Sequence, residues 1–501
     1  MKKSFLFVVS ILLISTLILT GCGSKATETP KPATKVVEEA TTAPSATTAP
    51  SATTEPSATT SSQAAAAVEA VENIVSTAAN SAETAVENAE KTVGEAAATA
   101  VDTAKTAVES VEKSGSEAGA SDVMKAKGVA DKSRCDAEGG CAVIKPGDTI
   151  KIGMGGPLTG EYAMYGVDIS DSEKISISDL KPLEGFEWEL LAEDTVGSPE
   201  TAVSIANKWV TDDTFVAVAG NVLTGESAAI IPIMEKYYIP MLSPSATGAN
   251  LTENNKVFNR IVFQDAEQGK FAAEFIVNTL GYKKVAVLHD GMDYGKGIAD
   301  TVRDTLVKLG VEPVAYEAIT PGEADYSAVL TSIASKKPEI IYYGGYTAEL
   351  SVIANQLGQV GLAGTPVFSD DGAFGAEFIE KAGKNAEGCY GTSSIPADSE
   401  AKKAFDKKYK ETLGREPGSK STFPWFAYDV IQVLAKQISE VSFVGDDGNL
   451  YVPRADLVKA VRSTSGFQGI TGEITCSENG ECNASGPTFY VVKDGKWVVA
   501  K

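Results

Sequence analysis

From about residue 148 onward, short apolar runs alternate with longer amphipathic segments, and polar loops separate them. Short apolar runs bounded by turn residues are typical of buried strands, and longer periodic segments are typical of helices. The predicted strands are 150–154, 188–192, 215–219 and 239–242, followed after residue 265 by 285–288, 314–318, 340–343 and 367–368. Strands and helices that alternate at this spacing predict parallel sheets covered by helices, and two such series predict two similar lobes.

The N-terminus has a different pattern. Lys2 and Lys3 precede an apolar run over 5–19, which is too short for a membrane span and is typical of an export signal. The run ends in Leu-Thr-Gly-Cys, which resembles the bacterial lipobox, in which the cysteine is lipidated. An ordinary secretory signal with a chance cysteine is the alternative. We predict a lipoprotein signal peptide over 1–22, lipidation of Cys22 and a location on the outer face of the membrane or in the periplasm.

A low-complexity linker is predicted over 23–134. Residues 25–62 are dominated by Thr, Ala, Pro, Ser and Glu, which cannot bury a core. Residues 63–113 carry loose Ala-Val-Glu repeats with a narrow stripe of valines at helical spacing. This segment is either a helical stalk or a weakly helical spacer. In both cases it would tether a folded body to the membrane.

The other five cysteines suggest two disulfide clips. Cys135 and Cys141 flank one short polar turn, and Cys476 and Cys482 flank another. An exported chain permits disulfides, and neither spacing is that of a zinc site. Pairing within each turn is expected, although pairing between the two sites stays open. Cys389 lies in an apolar stretch and is expected to be a buried free thiol.

Composition argues against several function classes. The formal net charge is −23 and no basic stripe is present, so nucleic acid is not an expected partner. His289 is the only histidine, and the sequence has no G-x-S-x-G elbow and no P-loop. The glycines at 153–156 match the glycine-rich nucleotide-binding motif only in part, because the third glycine is misplaced. We therefore expect neither catalysis nor a cofactor nor a metal, and we expect His289 to make a structural hydrogen bond.

Polar residues follow the predicted strands in both series. The loops of the first series, 156–166, 220–227 and 243–247, carry hydroxyls and glycines, whereas 343–346 and 369–372 in the second carry tyrosines and aspartates. Ligands of open α/β sheets bind at the carboxyl ends of the strands. Hydroxyls and backbone N–H groups near helix starts suit an anion, and a carboxylate suits a cation. The loops therefore predict a ligand that carries both charges, such as an amino acid zwitterion.

The chain resembles the branched-chain (Leu/Ile/Val) amino acid-binding proteins, which are type I periplasmic solute-binding proteins of ABC importers, in the segments IKIGMGGPLTGEYAMYG, PMLSPSATGANLT, VAVLHDGMDYGKGIAD and IIYYGGYTAEL. The resemblance covers nearly all of 148–501. It implies an α/β fold of two Rossmann-like parallel-sheet lobes joined by a hinge of three strands near residues 265, 394 and 470. It also implies that the cleft closes on the ligand by hinge bending.

The expected domain boundaries follow from this hinge. The first ligand-binding lobe is expected to comprise 135–265 plus 395–470. The second is expected to comprise 266–394 plus 471–501, and its last part, 488–499, is predicted to be a hairpin around Asp494-Gly495.

The resemblance also implies roles for individual residues. The hydroxyls of Thr224 and Thr247 and the backbone of Ser245 would hold the ligand carboxylate. Asp371 would receive the ammonium, although relatives usually have the longer Glu there. Leu223 stands where relatives often have Cys, so the family's disulfide in that lobe is not expected. The remaining residues of the predicted site are Gly225 and Ala246 from the same loops and the aromatics Tyr165, Tyr294, Tyr346 and Phe423.

Each of these residues also has a simpler structural interpretation. Thr224 and Thr247 suit helix N-caps, Tyr165 and Phe423 suit the core, and Asp371 before a glycine suits a turn. Their joint placement at successive strand ends, in both lobes, favours the binding site.

The expected function is that of an exported, lipid-anchored, monomeric binding protein. The resemblance implies that it captures an amino acid, in the family's pattern a branched-chain one, and delivers it to the permease of an ABC transporter. Two alternatives remain open: import of another small ligand, such as an amide, urea or an aromatic acid, and a ligand-sensing receptor lobe.

Overall fold

The computed structural model describes residues 123–482 and 486–500. The predicted signal peptide over 1–22, the lipidated Cys22 and the linker up to residue 122 lie outside the described residues. Within the described ranges, every helix is too short or too polar to cross a lipid bilayer.

The described residues form every strand that the sequence predicts, together with further strands at 141–144, 258–260 and 390–393 and within 443–474 that it did not predict. The strands are β1 (Cys141–Ile144), β2 (Ile150–Gly156), β3 (Trp188–Asp194), β4 (Phe215–Ala219), β5 (Met241–Ser243), β6 (Phe258–Arg260), β7 (Val285–His289), β8 (Ala315–Ala318), β9 (Ile340–Gly344), β10 (Val367–Phe368), β11 (Tyr390–Ser393), β12 (Phe443–Val444), β13 (Leu450–Pro453), β14 (Phe467–Gly469), β15 (Gly472–Ile474), β16 (Thr488–Lys493) and β17 (Lys496–Val499). The helices are α1 (Ala163–Asp179), α2 (Pro199–Trp209), α3 (Thr224–Lys236), α4 (Asp265–Glu274), α5 (Asp293–Lys308), α6 (Ser327–Ser335), α7 (Thr347–Gln356), α8 (Ala376–Ala382), α9 (Glu400–Leu413), α10 (Pro424–Val441) and α11 (Arg454–Arg462).

The first lobe is built on a five-stranded sheet in the order β3-β2-β4-β5-β6. All of its strand pairs are parallel. Strand β4 reads Phe-Val-Ala-Val-Ala and is buried along its whole length. A strand that is apolar on both faces must be covered on both sides, as parallel sheets are. Helix α10 packs against α1 and β4 on one side, and α2 packs against α3.

The second lobe is built on a seven-stranded sheet in the order β17-β16-β11-β10-β9-β7-β8. The strands from β8 to β11 are parallel, whereas β16 pairs antiparallel with β11 and β17 antiparallel with β16. The predicted terminal hairpin is therefore confirmed. Together the two sheets confirm the predicted α/β fold with two parallel-sheet lobes.

Residues 123–134, which the sequence analysis assigns to the linker, pack on the first lobe. Met124 N–H donates to Pro182 O at 2.8 Å, and Ala126 N–H donates to Glu184 Oε1 at 2.9 Å. Just after this segment, β1 pairs with β13 in a small antiparallel sheet. The folded body thus begins earlier than predicted, because backbone hydrogen bonds tie a polar segment that has no apolar pattern of its own.

The segment 471–482 also differs from its predicted place in the second lobe. Ile474 and Cys482 are fully buried in the core of the first lobe, together with residues of β2 and β4 such as Ile152. The first lobe therefore extends to Cys482, beyond the predicted third connection near residue 470.

Four of the five described cysteines pair within the two turns. Disulfides join Cys135 to Cys141 and Cys476 to Cys482, which excludes the alternative of pairing between the two sites. Cys389 is a buried free thiol, as predicted.

The hairpin of β14 and β15 is tied to α10 by one buried carboxylate. Asp429 accepts hydrogen bonds from Ile470 N–H at 2.9 Å, Thr471 N–H at 2.8 Å and Thr471 Oγ1 at 2.6 Å. These bonds satisfy both backbone N–H groups of the turn, which are buried.

Asp429→Asn is expected to destabilise the protein by about 1–3 kcal/mol. The carboxylate now accepts hydrogen bonds from these donors with both oxygens, whereas asparagine would place an NH2 group opposite one of them. Thermal unfolding of the purified protein would measure this. The exposed Asp446→Asn is the matched control. Equal midpoints for the two variants would contradict the assigned role of Asp429.

Candidate functional site

A cavity lies between the lobes, at the carboxyl ends of their parallel strands. The residues that line it are Tyr165, Val222, Leu223, Thr224, Ser245, Thr247, Tyr294, Tyr346, Asp371, Gly372 and Phe423. Nine of these belong to the predicted site, so the structure brings most of the predicted residues together. They come from both lobes, because in each lobe the parallel strands end at the edge of the sheet where the cavity lies.

The first lobe contributes hydroxyls from two adjacent loops. Thr224 is the first residue of α3, and its Oγ1 accepts a hydrogen bond from Gly248 N–H at 3.2 Å. Ser245 Oγ donates to Val222 O at 2.8 Å. A Cβ atom at Gly248 would lie only 2.3 Å from Thr224 Cγ2, so the close approach of the two loops requires glycine at this position. The loops are thereby joined into one surface at the start of a helix.

The second lobe contributes the buried carboxyl of Asp371, which begins a short 3-10 turn just after β10. Its Oδ1 accepts hydrogen bonds from Gln268 Nε2 at 2.5 Å and from Tyr294 OH at 2.8 Å. Its N–H donates to Gln268 Oε1 at 3.0 Å. Gly372 N–H donates to Tyr294 OH at 3.1 Å. Gln268 and Tyr294 therefore fix both the backbone and the carboxyl group of Asp371.

The electrostatics of this end of the cavity are set by three buried acids. Burial raises the pKa of Asp371. Burial and the neighbouring Asp371 carboxyl together raise the pKa of Asp370 well above its ordinary value. Burial and Asp371 also raise the pKa of Asp265 to about 8, while Thr247 and Arg260 oppose this shift. Carboxyl groups that lie close together in a buried region repel one another when ionised. A cation would relieve this repulsion, so this end of the cavity favours a cation.

Aromatic side chains close the cavity from both lobes. The ring of Tyr346 lies 5.5 Å from that of Tyr165 in the first lobe and 5.2 Å from that of Tyr294 in the second. Tyr165 OH donates a short hydrogen bond to Gly372 O across the cleft. Phe423, immediately before α10, is buried beside them. The middle of the cavity is thus apolar and aromatic, between a hydroxyl-lined end and an acidic end.

Gly225 and Ala246 do not line the cavity. Gly225 borders a neighbouring, larger space that Leu223, Tyr294 and Tyr346 also border. Ala246 is buried, and its N–H donates to Ser243 Oγ at 3.0 Å.

Three residues at the site were missed by sequence reasoning. Val222 and Gly372 line the cavity beside predicted residues, and Gln268 holds Asp371 from α4. Val222 and Gly372 could have been predicted, because they directly adjoin the predicted residues Leu223 and Asp371 in sequence. Gln268 had none, because its neighbour in space is 103 residues away in sequence.

His289 lies outside this cavity. Its Nδ1 accepts a hydrogen bond from Gly291 N–H at 3.0 Å, and its ring lies 5.1 Å from that of Tyr316. This is the kind of structural hydrogen bond that was expected. Among the residues that the structure describes, no three His, Cys, Asp or Glu side chains are grouped so as to hold a metal ion.

Comparison with known proteins gives consistent matches over the folded body. A sequence model of the periplasmic binding protein family matches residues 149–496. The chain is 30% identical over 356 residues to the Leu/Ile/Val-binding protein homolog 3 of Brucella melitensis, which covers 70% of this chain and 93% of the relative. It is 28% identical over 348 residues to the leucine-, isoleucine-, valine-, threonine- and alanine-binding protein of Pseudomonas aeruginosa, which covers 68% of this chain and 90% of the relative.

Solved structures agree with this result. The leucine binding protein LivK of Thermotoga maritima has a TM-score of 0.64 and 28% identity, covering 70% of this chain and 98% of its own. LivJ of Streptococcus pneumoniae, solved in complex with isoleucine, has a TM-score of 0.62 and 27% identity at the same coverages. The predicted resemblance to the branched-chain amino acid-binding proteins is therefore confirmed, and the chain belongs to the periplasmic binding protein family.

Proposed function

We propose that this protein captures an amino acid with an apolar, branched side chain outside the cytoplasm and delivers it to the permease of an ABC transporter. The observation that carries the proposal is the polarity of the cavity: hydroxyls of the first lobe at one end, a buried carboxyl of the second lobe at the other, and aromatic rings between them. The relatives named as Leu/Ile/Val-binding proteins, and LivJ with its isoleucine, support the same ligand class.

The ligand carboxylate would lie at the first-lobe end. Thr224 and Thr247 offer hydroxyl donors there, and Thr224 opens α3, whose N-terminal N–H groups carry a partial positive charge. Charge-assisted hydrogen bonds contribute about 1.5–3 kcal/mol each, so a few of them hold a carboxylate without a Lys or Arg.

The ligand ammonium would lie at the acidic end. The two side-chain hydrogen bonds to Asp371 both reach Oδ1, and we assign Oδ2 to the ammonium. An aspartate is one methylene shorter than the glutamate usual in relatives, and Gln268 and Tyr294 hold it rigidly. A ligand without a cationic group would leave this buried carboxylate unpaired, which is unfavourable. This disfavours amides, urea and aromatic acids as the cargo.

The ligand side chain would occupy the apolar middle of the cavity. Tyr165, Tyr346, Phe423, Val222 and Leu223 form this part. Apolar contacts of this kind favour aliphatic side chains over polar ones. A thermal-shift screen of amino acids, their amides and short aromatic acids would rank the ligands directly.

The rest of the proposal concerns the setting of the binding body. We propose export by the signal peptide 1–22, lipid attachment at Cys22 and a tether over the following linker. We retain the first-lobe segments up to 265 and from 395 as proposed domains, with the second lobe at 266–394 and beyond residue 482. We further propose that the protein acts as a monomer and that the permease recognises the closed cleft.

Thr247→Ala and Asp371→Ala are each expected to weaken leucine binding by about tenfold or more, because each removes a charge-assisted hydrogen bond to the ligand. Calorimetry would measure the affinity, and circular dichroism would verify the fold. Thr211→Ala and Asp446→Ala, at exposed sites, are the matched controls. An affinity equal to that of the wild type in either site variant would refute the assignment of that residue.

Acidification is expected to weaken amino acid binding. The pKa of Asp371 is raised by burial in the ligand-free protein, and the ligand ammonium favours its ionised form. Binding therefore releases a proton, so affinity rises with pH until the pH exceeds that pKa and is constant above it.

Affinity titrations between about pH 5 and about pH 8, in buffers of different ionisation enthalpy, would measure the affinity and the proton release together. Asp265 and Asp370 are buried close by, so Asp371→Asn, which removes only one titrating group, is the control. An unchanged pH dependence in Asp371→Asn would show that another acid is responsible.

Cys22→Ser is expected to release the protein from membranes, because the thiol that would carry the lipid is removed. Fractionation of expressing bacteria would measure its distribution. Cys389→Ser changes a buried thiol of the folded body and serves as the control. Continued membrane association of Cys22→Ser would overturn the proposed anchor.

A further inference from the structure

We propose that the ion pair between the buried Arg260 and the partly buried Glu481 positions the ligand loop, defined as residues 244–248, and thereby sets the affinity for the ligand carboxylate. This inference rests on the proposed function for the identity of the ligand. Neither residue lines the cavity, so both are positioning residues that act through the loop.

Arg260 holds the ligand loop on both sides of Thr247. It is the last residue of β6, and its side chain is completely buried. Its Nη1 donates to Ala246 O at 3.2 Å and to Gly248 O at 2.8 Å. The guanidinium therefore fixes the carbonyl groups that flank Thr247, whose side chain faces the cavity.

Glu481 holds the other side of the guanidinium. Arg260 Nε donates to Glu481 Oε2 at 2.8 Å, and Arg260 Nη2 donates to Glu481 Oε1 at 2.7 Å. Thr252 Oγ1, just beyond the ligand loop, also donates to Glu481 Oε1 at 2.8 Å. A bidentate pair of this kind fixes both the direction and the plane of the guanidinium. The orientation of Arg260 toward the loop therefore depends on Glu481.

The turn that carries Glu481 is closed by the disulfide between Cys476 and Cys482. The turn also pairs with β6: Arg260 N–H donates to Gly480 O at 3.0 Å, and Cys482 N–H donates to Arg260 O at 2.8 Å. A short closed turn has few alternative conformations, so it presents the carboxylate in one place. The disulfide, the ion pair and the ligand loop thus form one continuous chain of contacts.

The pair is more than a stabilising contact because its bonds converge on a single loop. A generally stabilising ion pair would affect all ligands of the cleft alike. A pair that orients Thr247 would affect only ligands that offer a carboxylate to that end of the cavity. Leucine and leucinamide differ in this group and keep the same ammonium and side chain, so they separate the two cases.

The test measures the affinity of wild type and Glu481→Gln for leucine and for leucinamide by calorimetry. Glutamine keeps the size of the side chain but loses the charge and one acceptor. We expect a loss of about tenfold or more for leucine and a change of less than about twofold for leucinamide. Equal losses for the two ligands, or no loss for either, would overturn the proposal.

Two further variants keep the test decisive. Glu481→Asp retains the charge and is expected to recover part of the leucine affinity, and it serves as the informative variant where Glu481→Gln does not fold. Asp456→Asn is the matched control: Asp456 Oδ2 accepts two hydrogen bonds from Arg134, at 2.8 Å and 2.6 Å, in the same lobe near the other disulfide. Its affinity for both ligands should equal that of the wild type.

Hydrogen exchange in the ligand-free protein separates this inference from the proposed function. The amide of Gly248, which donates to Thr224 Oγ1, should exchange faster in Glu481→Gln than in Asp456→Asn. This result would support the positioning role even if the wild type bound no amino acid, an outcome that would refute only the proposed ligand. Equal exchange in the two variants would overturn the inference.

Discussion

A carboxylate that is removed from water needs a partner of opposite charge or several hydrogen-bond donors, and this requirement organises the cleft. Asp371 is buried at the edge of the second lobe, with Gln268 and Tyr294 as its protein partners and two other acids close by. No basic side chain lines the cavity among the described residues. The opposite wall offers hydroxyls, which suit an anion. A zwitterion satisfies both walls at once, which explains why neither lobe alone would make a complete site.

Much of this arrangement could be predicted from the sequence because parallel strands have a strong local signal. Runs such as Phe215–Ala219 are apolar on both faces, and each is followed by polar loop residues. The carboxyl ends of such strands share one edge of their sheet, so Thr224 and Thr247 could be assigned to that edge in the first lobe and Asp371 to the corresponding edge in the second. The terminal hairpin could also be predicted from the sequence, because a two-residue Asp-Gly turn separates its two strands.

The remainder could not be predicted because it depends on contacts between distant segments. Gln268 is an unremarkable helix residue until Asp371 lies beside it. Residues 123–134 and 471–482 have no strong apolar period, and backbone hydrogen bonds and a few buried side chains decide their place. Gly225 and Ala246 occupy the expected loops but face away from the cavity, because a loop position does not determine the direction of each residue.

On the proposed function, closure of the cleft would follow from the same electrostatics. A ligand shifts a conformational equilibrium only by its difference in affinity for the two forms. A zwitterion held by the hydroxyl wall alone would bind an open form with its ammonium still in water. Bringing the second lobe against it replaces that water with Asp371, while the bond from Tyr165 to Gly372 and the rings around Tyr346 join the walls. In the proposed mechanism the ammonium would distinguish the closed form from the open one, so the acid of the second lobe would govern closure and the loop of the first lobe would govern capture.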